Sequence, residues 1–151
     1  MERAFAPNGR MADATVAVKM LLSDSPIEAY TQAKVLDEQN LKRQEVERKI
    51  YEEAEARIEK EGLNKKKSIV IEGENWHQGV IGIVASKLTE KYLKPVILLT
   101  YDDEKTKGSG RIPQGISLYD ALSECAECLT AFGGHELAAG LTLETKNIPA
   151  F

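Results

Sequence analysis

Between Pro26 and Gly62 the chain contains no glycine and no proline. That run constrains the fold more than any other feature, because an uninterrupted charged stretch of this length has one economical conformation, a single long helix. Ser25 is a good N-cap, Pro26 suits the first helical position, and Glu28 stands three residues after the cap, which together make a capping box with its proline. Gly62 is a natural stop. The helix would be roughly 50 Å long at 1.5 Å per residue. Glu38/Lys42, Glu45/Lys49 and Glu53/Arg57 have the favourable acid-first i,i+4 order. The apolar stripe is thin: Ile27, Tyr30, Leu36, Leu41, Ile50, Ala54 and Ile58. A thin stripe with charged flanks predicts a largely exposed connector between two bodies. Dimerisation as a coiled coil is the competing reading, and the heptad is not sustained as that requires.

The flanks differ from the helix and from each other. Ala14 to Leu22 has a short helical pattern in which Val16, Val18, Met20, Leu21 and Leu22 are too many apolar residues for a solitary helix. They read as one surface of something larger. From about Lys65 the pattern alternates. Ser68–Ile71 and Pro95–Leu99 read as strands, Val80, Ile81, Val84, Leu88 and Tyr92 are spaced as a helix, and Lys107–Ile112 reads as a returning strand. Leu118–Leu129 follows as helical turns and Leu137–Leu143 as a last strand. The order β-α-β-β-α-β predicts an α/β fold with a mixed sheet, preceded by the long helix. Three parts follow: residues 1–25, 26–62 and 63–151.

Composition narrows the function. The chain has 151 residues, is 42% hydrophobic and 29% charged, and carries a net charge of −4. Proteins that hold nucleic acid by bulk electrostatics are usually basic. An acidic chain must use pointed donors in a local pocket instead. Cys125 and Cys128 are too few and too close for a secreted disulfide framework. Neither a membrane-length apolar run nor a signal-peptide pattern occurs, so a cytoplasmic protein without a membrane partner is the expectation.

Three segments carry candidate chemistry. Gly108-Ser109-Gly110-Arg111 combines two glycines that permit close backbone approach, a hydroxyl, and a planar fork matching phosphate oxygens in pairs. It lacks the Lys-Ser/Thr ending of a nucleotide P-loop, and read alone it is more simply a glycine-rich turn with an exposed arginine. In Phe132-Gly133-Gly134-His135-Glu136-Leu137-Ala138-Ala139-Gly140 the glycine pair again admits a phosphate, and His135 is able to donate to one or to shuttle a proton. A helix-to-strand turn with a surface histidine is the plainer reading. In Trp76-His77-Gln78-Gly79-Val80-Ile81-Gly82-Ile83-Val84-Ala85-Ser86 a strand gives way to a helix whose N-terminus favours anions. Trp76 is either a base-stacking platform or a core plug, and His77 either a ligand contact or a cap. Two histidines and scattered aspartates make no ligand-spaced metal cluster, and the cysteine pair reads as core rather than zinc site.

Taken together, the Trp76–Leu88 stretch, Gly108-Ser109-Gly110-Arg111 and Gly133-Gly134-His135 resemble, in order and spacing, the DHHA1 domain of RecJ exonucleases in the DHH phosphoesterase superfamily. Asn8-Gly9-Arg10-Met11-Ala12-Asp13-Ala14 resembles the end of the DHH domain that precedes it, and the long helix resembles the linker between the two. Where the family often has serine after Gly-Ser-Gly-Arg, this chain has Ile112, so one donor is lost.

The resemblance implies processive 5′-to-3′ degradation of single-stranded DNA, with Mn²⁺ or Mg²⁺ held by an Asp-His-His-bearing domain expected upstream of Met1. The DHHA1 domain is expected to be truncated at its C-terminal end. Ser109 and Arg111 would hold the 5′-phosphate side, with Gly108, Gly110, Gly133 and Gly134 allowing approach and Arg10 adding a contact. His135 would lie near the scissile phosphate as the one candidate catalytic residue, and Trp76 and His77 would line the cleft. The implied partners are single-stranded DNA and proteins of repair and recombination. Two other readings remain: a DHH-family oligoribonuclease or cyclic-dinucleotide phosphodiesterase, and a non-enzymatic module acting through its long helix.

Overall fold

The structure is a computed structural model that describes residues 14–151. Arg10 and the Asn8–Asp13 segment lie outside the described residues. The chain divides into two compact units, 1–48 and 49–151, and the division falls inside the long helix.

In the first unit, α1 spans Thr15–Leu22 and the first part of α2 (Pro26–Lys60) follows after a tight connection. The Glu28 backbone N–H donates to Ser25 Oγ, as an N-cap requires. The return half of the box differs from expectation. Ser23 Oγ donates to the Glu28 carboxylate at 3.1 Å and accepts from the Ser25 N–H, so the cap closes two residues further upstream. Val18, Leu21, Leu22, Ile27 and Tyr30 are all exposed in this unit. Leu36, Asn40, Arg43 and Glu47 are buried.

Helix α2 is continuous, as the absence of glycine and proline predicts, and stops at Gly62, whose φ of +68° suits glycine. More than half of the helix's residues are exposed, and one narrow face is buried. Ile27, Tyr30 and Leu41 face solvent, while the buried positions are Leu36, Asn40, Arg43, Glu47, Ile50, Ala54 and Ile58. Their spacing alternates three and four almost throughout, so a seam exists, but its middle is polar. Arg43 donates to Asn40 Oδ1 from Nε at 3.2 Å and from Nη2 at 3.0 Å, and pairs with Glu47.

The second unit is an α/β layer. Its five strands are β1 (Ile69–Glu74), β2 (Val96–Tyr101), β3 (Lys105–Arg111), β4 (Ala131–His135) and β5 (Ala138–Glu144), in spatial order β1-β2-β3-β5-β4. Helix α3 (Gln78–Tyr92) is the crossover between the parallel pair β1 and β2, and all other pairings are antiparallel. Strand β4 is an element that the sequence pattern gives no sign of. Helix α3 packs on β2 and β3, whereas α4 (Leu118–Glu124) packs on β4 and β5. Leu99, Ile112, Leu118, Leu122, Ala139, Leu141 and Leu143 form the core under α4. Ile112, at the family's serine position, is therefore a core residue whose lost hydroxyl is exchanged for buried apolar surface.

The C-terminal part of α2 is integral to this layer. Ile50, Ala54 and Ile58 are buried, and polar contacts flank them. Glu55 pairs with Lys91 at 2.7 Å, Tyr92 Oη donates to Glu59 at 2.7 Å, and Arg57 reaches the Glu72 carbonyl.

Candidate nucleic-acid interface

The geometry of the site follows from strand register. In β3, Ser109 and Arg111 are two residues apart and so point to the same side of the pleat. That side is the one facing α3: a Cβ added to Gly82 would stand 2.9 Å from Ser109 Oγ and 3.0 Å from Arg111 Nη2. Gly82 thus lets the helix lie directly against both donors. Gly82 stands inside the Trp76–Leu88 stretch, and nothing in the local sequence reveals the partner it makes room for.

Arg111 is held in place by its own strand. Nη1 donates to Ser109 Oγ at 3.0 Å and to the Gly110 carbonyl at 2.7 Å. Gly110 points the other way, where a Cβ would meet Leu118 at 2.8 Å. Gly108 likewise is filled by Leu99 and Leu141. The two glycines of this motif therefore serve the packing under α4 and not the close approach of an anion, which corrects the sequence expectation for their side-chain space.

Across the sheet, Arg111 pairs with Ala138, and Ala138 pairs with His135. The next row is Ser109, Gly140 and Gly133. Arg111 and His135 thus share one cross-strand row, two strands apart, which at strand spacing is roughly 10 Å between backbones. The register brings these distant sequence segments onto one face of the sheet. Gly133, Gly140 and His135 are exposed. An added Cβ would meet nothing within 4 Å at Gly133 and only the Gly108 carbonyl at 3.9 Å at Gly140. Both have ordinary φ values. Gly134 differs: a Cβ there would lie 2.3 Å from the Ala138 carbonyl oxygen, so glycine is obligatory for β4 to pair. His135 also borders a groove with Ser117, Tyr119, Asp120, Glu136 and Leu137 at the sheet end.

Trp76 and His77 are elsewhere. Trp76 is 6% exposed, its ring lies on Gly73, and its indole N–H donates to Glu53 at 3.1 Å. It is a core plug, and its ring has no open face for a base. His77 is the N-cap of α3, its Nδ1 accepting from the Gly79 N–H at 3.1 Å. Cys125 and Cys128 are free and half-buried. Among the described residues no three His, Cys, Asp or Glu side chains are grouped to hold a metal ion, so these residues do not fit a metal centre. No helix among them is long and apolar enough to cross a membrane.

A mixed sheet of this topology, with a glycine-bearing helix seated on a Ser-x-Arg strand, defines a class. The chain matches the DHHA1 domain family over residues 65–151 and belongs to it. Within that class it is homologous to RecJ. It is 41% identical over 143 residues to the single-stranded-DNA-specific exonuclease RecJ of Bacillus subtilis (strain 168), covering 93% of this chain and 18% of that protein. The Escherichia coli (strain K12) RecJ is 38% identical over 153 residues, covering 95% and 26%. The crystal structure of Thermus thermophilus RecJ in complex with Mg²⁺ matches with a TM-score of 0.85 at 29% identity, covering 98% of this chain and 23% of that one. A manganese-bound exonuclease RecJ matches with a TM-score of 0.86 at 30% identity, covering 98% and 36%. The chain thus spans 18% of the B. subtilis protein's length and 26% of the E. coli protein's.

Proposed function

We propose that this chain is the part of a RecJ-type, 5′-to-3′ single-stranded-DNA exonuclease that grips the nucleic-acid end and positions it. Residues 63–151 act as the DHHA1 domain, residues 26–62 as the linker and residues 1–25 as the close of a DHH domain that carries the Mn²⁺ or Mg²⁺ chemistry. The observation that supports this reading is the pair of adjacent rows, Arg111–Ala138–His135 and Ser109–Gly140–Gly133, on the sheet face that α3 leaves open over β5 and β4. The arrangement is a low floor of small residues with a hydroxyl and a fixed guanidinium along one side and an imidazole at the end. A phosphate lying on that floor meets donors of fixed geometry, as an acidic chain needs. Ser109 and Arg111 bind the 5′-phosphate, with Arg10 as a further contact, and His135 lies toward the scissile bond. His77 acts on the strand only through the helix start that it caps.

The test is binding of 5′-phosphorylated against 5′-hydroxyl oligonucleotides. Arg111→Ala is expected to cost about 1.5–3 kcal/mol with the phosphorylated strand, typical of hydrogen bonds to a charged group, and little with the hydroxyl strand. Arg111→Lys restores only part, since an ammonium lacks the planar fork. Equal losses for both ends would show that Arg111 does not read the terminal phosphate.

A further inference from the structure

We infer that Lys107 is a second phosphate contact, for an internal phosphate of the same single strand whose end lies at Ser109 and Arg111. This rests on the end-binding reading above and extends it by a direction of travel.

Four residues of β3 alternate onto the face that bears α3: Lys105, Lys107, Ser109 and Arg111. At about 3.4 Å per residue, Lys107 stands roughly 7 Å beyond Ser109 and 14 Å beyond Arg111 along the strand. That step is on the scale of the phosphate repeat of an extended single strand. A groove opens here, lined by Asn75, Gln78, Thr100, Asp102, Lys105 and Lys107. It lies at the carboxyl ends of the parallel pair β1 and β2, where α3 begins its 15 residues with its positive end.

Lys107 and Lys105 are not equivalent. Lys105 is paired in register with Glu144. Its own backbone N–H, with that of Glu104, binds the Asp102 carboxylate at 2.8 and 3.0 Å. The row of Lys107 is Thr100, Thr142 and Ala131, with no acid in it. The Lys107 side chain is exposed and takes part in no side-chain hydrogen bond or close ion pair among the described residues, and its charge acts at longer range on Asp102, whose carboxyl it helps to hold below the ordinary range. Asp102 lines the same groove and repels a phosphate, and Lys105 and Lys107 are the cations that offset it there. The two donor sites are continuous, since Thr142 and Ala131 extend the small-residue floor from Gly140 and Gly133.

The experiment measures binding of the 151-residue chain to 5′-phosphorylated oligothymidylate of about ten nucleotides and to thymidine 5′-monophosphate, across a salt series. Lys107→Ala is expected to weaken the oligonucleotide about three- to tenfold and to reduce the slope of log affinity against log salt by about 0.7, the value for one phosphate contact on a single strand. It leaves the mononucleotide and the 5′-phosphate preference unchanged. Lys107→Arg keeps the slope, and Lys67→Ala, which removes a charge in the loop before β1, changes neither quantity. Binding that depends on Arg111 but is indifferent to Lys107→Ala would overturn this inference alone. Equal loss from Lys67→Ala would also overturn it, reducing the effect to net charge. A parent chain that binds no single strand would overturn the end-binding reading as well.

Discussion

Gly133 and Gly140 occupy opposite positions in ordinary extended backbone, where glycine weakens a strand and contributes no packing. Neither the fold nor the local conformation requires them, since side chains there would project into open space. On the proposed reading, their bareness keeps the floor open for the strand. Gly133→Val is expected to leave the melting temperature unchanged or raise it, while lowering single-strand affinity tenfold or more. Melting and anisotropy titrations on the same preparation check this, and a variant that binds normally would refute the open-floor role. At this scale the sequence was readable where chemistry declares itself: Ser109, Arg111 and His135 stand out by type. It was unreadable where a residue's meaning depends on its neighbour. Gly82, Gly108, Gly110, Gly133 and Gly134 look alike in sequence, yet one admits a guanidinium, two admit leucines, one admits nothing and one admits a backbone. Trp76 was ambiguous for the same reason, until Gly73 and Glu53 proved to enclose it.

Among the elements, helices and buried strands declared themselves by periodicity, and β4 did not. Its sequence, Ala131 to His135, has no bulky alternation because its exposed side is nearly bare and its pairing depends on Gly134. The long helix shows the converse. Capping and continuity were legible, but the buried seam was not, because Asn40, Arg43 and Glu47 satisfy one another and leave no apolar signal. Where α2 meets α3, the Glu55–Lys91 pair makes a pH-dependent clamp. Lys91, followed by the Tyr51 hydroxyl, holds the Glu55 carboxyl below its ordinary 4.5, and Glu55 holds the Lys91 ammonium above 10.5. A depressed acid contributes stability above its unfolded value and loses it as pH falls through the folded one. A raised base contributes below its unfolded value and loses it as pH rises through the folded one. The melting-temperature difference between the parent and Glu55→Gln is therefore expected to be flat between 4.5 and 10.5 and to shrink on either side. A difference constant through strong acid would exclude the clamp.

For the whole molecule, the fold class and the motif order were legible because the three glycine-bearing segments keep fixed spacing. The boundary between the two compact units falls within an unbroken helix, where no composition shift marks it. The proposed division of labour predicts binding without hydrolysis. Incubated with single-stranded DNA and Mn²⁺, the 151-residue chain is expected to release no nucleotide while still retaining the strand. Digestion by purified chain that disappears with His135→Ala would overturn that assignment. Digestion that survives it would point to a contaminant.

The two-residue turn at Glu136–Leu137 joins β4 to β5 and holds His135 opposite Ala138. Strand faces alternate, so parity is what this turn conserves. Substitutions there touch two largely solvent-facing side chains. Insertion of a single residue that shifted β4 by one would carry Gly133 and His135 to the α4 side and bring Phe132 and Gly134 out onto the floor. The length of this hairpin, more than its composition, therefore keeps His135 in the row of Arg111.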